Sequence, residues 1–170
     1  MPRPPRLNLK PALTSDAPAL ASLHTAVSDQ LTRQHGRGPW SSNTSEKSVL
    51  HTMRLSRVLV ARDGDEIIAT LQLTTKKPWA IDTSRFTECA KPLYLLAMAV
   101  APSRQRQGIG AKCIKLARHI AKAWPADVIR LDAYDAIAGA GPFYARCGFT
   151  EVGRATYRNT RLIYYEMLLL

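Results

Sequence analysis

The chain has 170 residues, 46% of them hydrophobic, and carries 24 Lys and Arg against 13 Asp and Glu, a formal net charge of +11. This length favours one domain, residues 1–170, with a core of useful size. No apolar run reaches the roughly 18 residues that span a bilayer, and the opening MPRPPRLNLKPAL lacks the apolar stretch of a secretory leader, so a cytoplasmic protein with no membrane partner is expected. The basic balance points to an anionic ligand, an acidic partner or nucleic acid. No helix-turn-helix, zinc-finger or RNA-binding aromatic signature supports nucleic acid. Cys89, Cys113 and Cys147 are scattered and show no CxxC pairing, and His24, His35, His51 and His119 form no HxxxH pattern, so no metal is expected.

Arg6 to Leu13 reads as a first strand. Asp16 is placed to cap a helix and Pro18 suits its first turn, after which Leu20, Leu23, Val27 and Leu31 recur at helical spacing. His35 to Asn43, with Gly36, Gly38 and Pro39, reads as a loop. A second helix follows, capped by Thr44 or Ser45, with Val49, Leu50 and Met53 facing inward. Val58 to Ala61 and Ile67 to Leu73 flank Asp63-Gly64, a hairpin signal. Lys76 to Pro92 is a long connection without a period, a length expected to be functional or mobile.

Leu93 to Val100 is nearly unbroken in apolar residues and is expected to be a central strand buried on both faces. The helix after Gly108 sets Ile114, Ala117, Ala121 and Trp124 on one side and Lys112, Lys115, His119 and Lys122 on another, and stops at Pro125. Val128 to Asp132 is a further buried strand. Gly139 to Cys147 reads as a short helix ended by Gly148, and Glu151 to Tyr157 and Leu162 to Leu170 form a closing antiparallel pair. The order β-α-α-β-β-β-α-β-α-β-β gives an α/β or α+β fold with a mixed sheet.

The stretch AVAPSRQRQGIGAKCI, Ala99 to Ile114, is a Gly-rich turn between a buried strand and a helix start, where unpaired N–H groups and the positive helix end favour anions. It is not a P-loop, because Gly110 precedes Ala111-Lys112 rather than Lys-Ser/Thr. Nor is it a dinucleotide fingerprint, because Cys113 stands at the third glycine. With its preceding strand, LYLLAMAVAPSRQRQGIG resembles the signature of the GNAT superfamily of N-acetyltransferases, Gln105, Gly108 and Gly110 filling the Q/R-x-x-G-x-G/A places. A second family signature, F/L-Y-x-x-x-G-F, is matched by Phe143-Tyr144-Ala145-Arg146-Cys147-Gly148-Phe149.

The resemblance implies a fold of about seven strands and four helices. It also implies acetyl-CoA as co-substrate and direct attack by a primary amine in a ternary complex. The pyrophosphate would lie on the N–H groups of Arg106, Gln107, Gly108, Ile109, Gly110 and Ala111. The pantetheine would pair with Met98, Ala99 and Val100, where the strand bulges, and the Met98 region would hold the oxyanion by a backbone N–H. Arg104, Arg106, Lys112 and Lys115 are candidates for the CoA phosphates. Tyr144 matches the family tyrosine that protonates the thiolate.

The base is less defined. Leu96, Met98 and Val100 offer no Glu or His on the central strand. Asp132, twelve residues before Tyr144, matches the place of a Glu in some ribosomal-protein acetyltransferases; Asp82, Glu88 and Tyr134 are weaker candidates. Where many relatives carry an Asn that contacts the cofactor, seven residues before the tyrosine, this chain has Ile137, and Asp135 is the nearby substitute. In this fold the acceptor enters opposite the cofactor. Its walls would come from Gln34 to Asn43, Lys76 to Pro92 and Tyr157 to Arg161, with Trp40, Trp79 and Asp82 as candidate contacts. A non-catalytic acyl-CoA sensor on the same fold is the alternative, and Met167 to Leu170 is a candidate inner strand or part of a homodimer seam.

Overall fold

The computed structural model describes residues 6–170. In chain order it runs β1 (Lys10–Pro11), α1 (Ala17–His35), α2 (Glu46–Leu55), β2 (Arg57–Asp63), β3 (Glu66–Thr74), β4 (Pro92–Val100), α3 (Ile109–Ala123), β5 (Val128–Tyr134), α4 (Gly141–Arg146), β6 (Thr150–Tyr157) and β7 (Thr160–Leu168). The strands form one mixed sheet in the order β1-β2-β3-β4-β5-β7-β6. The element order matches the pattern legible in the sequence, with β1 shortened to two residues. Two compact units divide the chain: one reaches to Gln72 and adds Ala97–Ala117, the other joins Leu73–Leu96 to Arg118–Leu170.

In the first unit, β1 pairs antiparallel with β2, Lys10 opposite Val60 and Pro11 opposite Leu59. Leu20 and Leu23 of α1, Val49 of α2, Val58 and Val60 of β2, Ile67 of β3 and Ala99 of β4 make its core. Each fully buried aliphatic side chain there contributes roughly 1.5–3 kcal/mol. Leu50, expected to face inward, is exposed, and Met53 packs only partly against the core. The apolar stripe of α2 is narrower than its three candidates suggested. Ser45, not Thr44, caps α2, its hydroxyl accepting from Ser48 N–H at 3.1 Å.

Asp16 departs from its expected role. Its carboxylate makes no cap bond to α1 and turns back instead to accept from Leu13 N–H at 2.8 Å and from Arg62 at 2.6 Å. The guanidinium of Arg62 holds the carboxyl below its usual range. The α1–α2 connection is buttoned onto α1: Ser28 Oγ donates to Trp40 O at 2.6 Å and accepts from Ser42 N–H at 2.9 Å.

In the second unit, β4 and β5 run parallel, Leu93 opposite Ile129, and β5 pairs antiparallel with β7, Arg130 opposite Glu166 and Asp132 opposite Tyr164. β7 lies between β5 and β6, so Met167 is buried in an inner strand, while Leu168 and Leu170 are exposed. The Lys76–Pro92 connection is tied down rather than loose. Ile81 and Phe86 are buried with Tyr94, Leu162 and Tyr164. Thr87 donates from both its N–H and its hydroxyl to the buried Glu166 carboxylate. Arg130 donates to Thr87 O at 2.7 Å and to the Tyr94 hydroxyl, and stacks over Phe86. No helix of the described residues is long and apolar enough to cross a membrane.

Candidate active site

β4 changes character along its length. Leu93, Tyr94 and Leu95 are buried, as the apolar run predicts, but Leu96, Met98 and Val100 are half-buried and Ala97 is exposed. The expectation of burial on both faces therefore fails at the C-terminal half. Ala97 has φ of 47°, a left-handed conformation that an alanine adopts only under constraint. The strand kinks there and stops presenting a flat ladder, which is how a bulge frees backbone groups from sheet pairing.

Past β4, Ala101 N–H bonds Ile68 O at 2.9 Å, and a single 3-10 turn, Pro102–Arg104, leads into the Gly-rich loop. Arg106 and Gly108 both have positive φ, 61° and 77°. Glycine reaches this region without steric cost, which is why position 108 is suited to it. The first bond of α3 runs from Lys112 N–H to Gly108 O at 3.1 Å. The six backbone N–H groups from Arg106 to Ala111 have no acceptor among the described residues. Alternating left-handed residues ahead of a helix start turn such N–H groups toward a common point, and the helix dipole adds positive potential there. Such an arrangement suits an anion. Lys112 and Lys115 lie exposed on the same helix, and Cys113 and Ile114 on the buried side, as the periodicity predicts.

Two loop side chains have partners within the protein. Arg104, a candidate for CoA phosphates, is bonded at 2.9 Å to both Asp63 and Glu66, so its charge is already matched within the protein. Gln105 donates to Val100 O at 3.1 Å and exchanges two side-chain bonds with Gln30 of α1, at 2.9 and 3.1 Å. Its side chain positions the loop.

Tyr144 belongs to the second unit. The start of α4 lies close against Tyr165, since a Cβ on Gly141 would meet the Tyr165 hydroxyl at 2.5 Å. Glycine there allows the approach that packs Tyr144 among Phe143, Phe149 and Tyr165, with ring centroids 5.2, 5.6 and 6.4 Å apart. The phenol is buried, yet its hydroxyl takes no partner among the described residues. Burial first, then the Asp132 carboxylate and Cys147, push its pKa up, so it stays protonated across the physiological range.

Asp132 lies on β5 with its carboxylate unbonded among the described residues, and burial raises its pKa. It does not pair with Arg130, whose guanidinium is engaged by Thr87 and Tyr94. Asp135 pairs with Arg161 at 3.2 Å and Arg154 at 3.5 Å, and Ile137 is almost fully exposed. Asp82 caps the turn at Thr83–Arg85, with Ser84 first among the groups that hold its carboxyl low. Trp79 is 83% exposed. Trp40 folds over its own loop, its indole N–H donating to Gly36 O at 2.9 Å with Gly38 against the ring.

Sequence reasoning passed over His24. It lines a cavity of about 170 Å³ in the first unit, together with residues of α1, α2, β2, β3 and Ala97 at the kink of β4. The available signal was its place four residues after Leu20 in the apolar stripe of α1, where an imidazole interrupts an otherwise aliphatic face.

The profile of the acetyltransferase (GNAT) family matches residues 21–149. A GNAT-family protein from Desulfovibrio desulfuricans shares the fold with a TM-score of 0.72 at 15% identity, over 97% of this chain and 100% of that one. A Salmonella typhimurium protein solved with its cofactor acetyl-CoA superposes with a TM-score of 0.70 at 15% identity, over 96% and 94%. The ribosomal-protein-S18-alanine N-acetyltransferase of Escherichia coli gives 0.69 at 16%, also over 96% and 94%. At these identities the likeness is one of fold. No curated protein sequence matches the chain.

Proposed function

Since the chain belongs to the GNAT acetyltransferase family, we propose that it transfers the acetyl group of acetyl-CoA to a primary amine by direct attack in a ternary complex, the whole of 1–170 serving as one catalytic domain. The observation that carries this reading is the run of six partnerless N–H groups, Arg106 to Ala111, at the start of α3. Such a cradle suits the CoA pyrophosphate. The kinked end of β4, with Met98, Ala99 and Val100 beyond Ala97, suits the pantetheine amides and supplies a backbone N–H for the oxyanion.

In the reaction the amine nitrogen attacks the thioester carbonyl, the tetrahedral oxyanion collapses, and the C–S bond breaks. The amine loses a proton and the departing thiolate takes one. Tyr144, neutral and with a free hydroxyl, is assigned as the donor to the thiolate. Asp132, with a raised pKa and no bonding partner, is assigned as the proton acceptor, directly or through a water. The free cysteines fit a reducing, cytoplasmic setting.

The test has two readouts. Acetyl-CoA at about 100 times its Kd should stabilise the fold by roughly 2.7 kcal/mol. Free-thiol release from acetyl-CoA should then depend on added amine. No thermal shift would refute the CoA assignment. A shift without amine-dependent thiol release would make the chain an acyl-CoA sensor instead.

A further inference from the structure

We infer that the cavity beside Ala97 is the acceptor's specificity pocket, and that it selects an amine bearing a compact, uncharged hydrogen-bonding group, a hydroxyl or a carboxamide, over one bearing a second charge. The inference rests on the acetyl-transfer reading above and adds a substrate class to it.

The cavity measures about 170 Å³, room for a compact group of a few heavy atoms up to a small ring. One end is Ala97, the residue before Met98, which places the cavity at the strand segment assigned to the reacting thioester. Its polar wall is His24, Thr44, Ser48, Thr52 and Gln72, and Val49 is part of its apolar wall.

The hydrogen-bonding capacity of that wall can be counted. Ser48 Oγ donates to Ser45 O at 2.8 Å and Thr52 Oγ1 donates to Ser48 O at 2.9 Å. Both hydroxyl protons are therefore spent inside α2, and each oxygen keeps a lone pair to offer a ligand. The one Ser56 hydroxyl proton is shared between Thr52 O at 3.1 Å and Gln72 Oε1 at 3.4 Å, and the Gln72 NH2 takes no partner among the described residues. His24 has no partner among the described residues, and burial lowers its pKa, so the ring is neutral near pH 7 with one donor and one acceptor nitrogen. The residues that α2, β2, β3 and β4 contribute to the wall are all uncharged.

A wall of mixed donors and acceptors satisfies a hydroxyl or carboxamide. It offers no carboxylate to a second ammonium and no cation to a carboxylate, so a second charge gains no partner there. Specificity here comes from leaving the wrong ligand's charge unmatched.

The test uses the purified full chain with saturating acetyl-CoA, reading thiol release. Threoninamide and 1-amino-2-propanol are compared with threonine, which adds a carboxylate, and with putrescine, which adds an ammonium. The neutral pair should be favoured in kcat/KM by about tenfold or more. Thr52→Val and His24→Gln should each bring the preference for threoninamide over n-propylamine toward one, mainly through KM, while calorimetry shows the same Kd for acetyl-CoA. Should His24→Gln fail to fold, Thr52→Val alone decides the point. The ratio of KM for threoninamide to KM for n-propylamine should also rise in the unaltered protein as pH falls through the lowered His24 pKa, beneath the ordinary value of about 6.5, because a protonated ring offers only donors, and this rise should be absent in His24→Gln.

Preference for putrescine or threonine would overturn the inference. So would an unchanged selectivity ratio in the folded variants, or acetyl-CoA binding with no turnover of either neutral probe. Failure to bind acetyl-CoA would bring down the acetyl-transfer reading as well, which separates the two failures.

Discussion

Replacing Gly108 by alanine tests the anion cradle most directly. The residue has φ of +77°, and a Cβ built on it meets nothing within 4 Å. An alanine side chain therefore has room, and the whole cost is backbone, about 1–2 kcal/mol for an L-residue in the left-handed region. Arg106, Gln107 and Gly108 are all exposed, so little packing holds the loop in that conformation. The free variant should relax toward negative φ, and acetyl-CoA must then restore the cradle on binding. That conformational cost raises the apparent Kd by the same free energy, about 5- to 30-fold.

Gly64 supplies the control. It has φ of +60° in the β2–β3 turn, and its Cβ would also meet nothing within 4 Å. Gly64→Ala carries the same kind of strain outside the run Arg106–Ala111 but beside Asp63 and Glu66, which hold Arg104, so it should lower stability while weakening acetyl-CoA by less than Gly108→Ala does. Calorimetric titration gives the affinities and urea unfolding gives the stabilities. A Kd for Gly108→Ala within twofold of the unaltered protein would refute the reasoning, as would an equal weakening by Gly64→Ala.

Other substitutions probe the remaining groups. Tyr144→Phe keeps the ring contacts with Phe149 and Tyr165 and removes only the hydroxyl; kcat should fall with little change in acetyl-CoA affinity, and an unchanged single-turnover rate would dismiss the acid role. Asp132→Asn should lower kcat yet raise Tm at pH 7: the folded pKa lies above 3.8, so the charged form is disfavoured by folding and destabilises above that pKa. The acid limb of kcat/KM, which rises with pH through the raised pKa, should disappear in that variant. Asp16 has the opposite sign, with its folded pKa below 3.8. The stability gap between the unaltered protein and Asp16→Asn should hold from neutral pH down to about 3.8 and close as pH falls through the lower folded value; a gap constant down to pH 2 would argue against the Arg62 pairing as its source.

Much of this was legible in the chain because local rules and burial agreed. The stripe Ile114, Ala117 and Ala121 reads as a buried helix face and is one, and Asp63-Gly64 reads as a turn and is one. The two GNAT signatures mark the loop at Arg106–Ala111 and the helix carrying Tyr144. What escaped depends on long-range partners. Nothing in SRQRQG shows that Arg104 is taken up by Asp63 and Glu66, some forty residues earlier in the chain. The kink at Ala97 is invisible because the strand stays apolar through it, and apolarity reads as burial whether or not the backbone is flat. The Lys76–Pro92 connection looked loose because it has no period, yet two buried side chains, Ile81 and Phe86, suffice to pin it. His24 became informative only when residues distant in sequence closed a cavity around it.

The reciprocal bonds between Gln30 and Gln105 bear on how ionic strength should act. Two carboxamides holding each other carry no net charge, so added electrolyte does not weaken this attachment of the loop to α1 as it weakens an exposed ion pair. A plot of acetyl-CoA affinity against salt concentration then reports on cations meeting the ligand's phosphates and on the Arg104 pairs with Asp63 and Glu66, not on the amide pair. Comparing its slope in Lys112→Gln and in Arg104→Gln separates those two contributions.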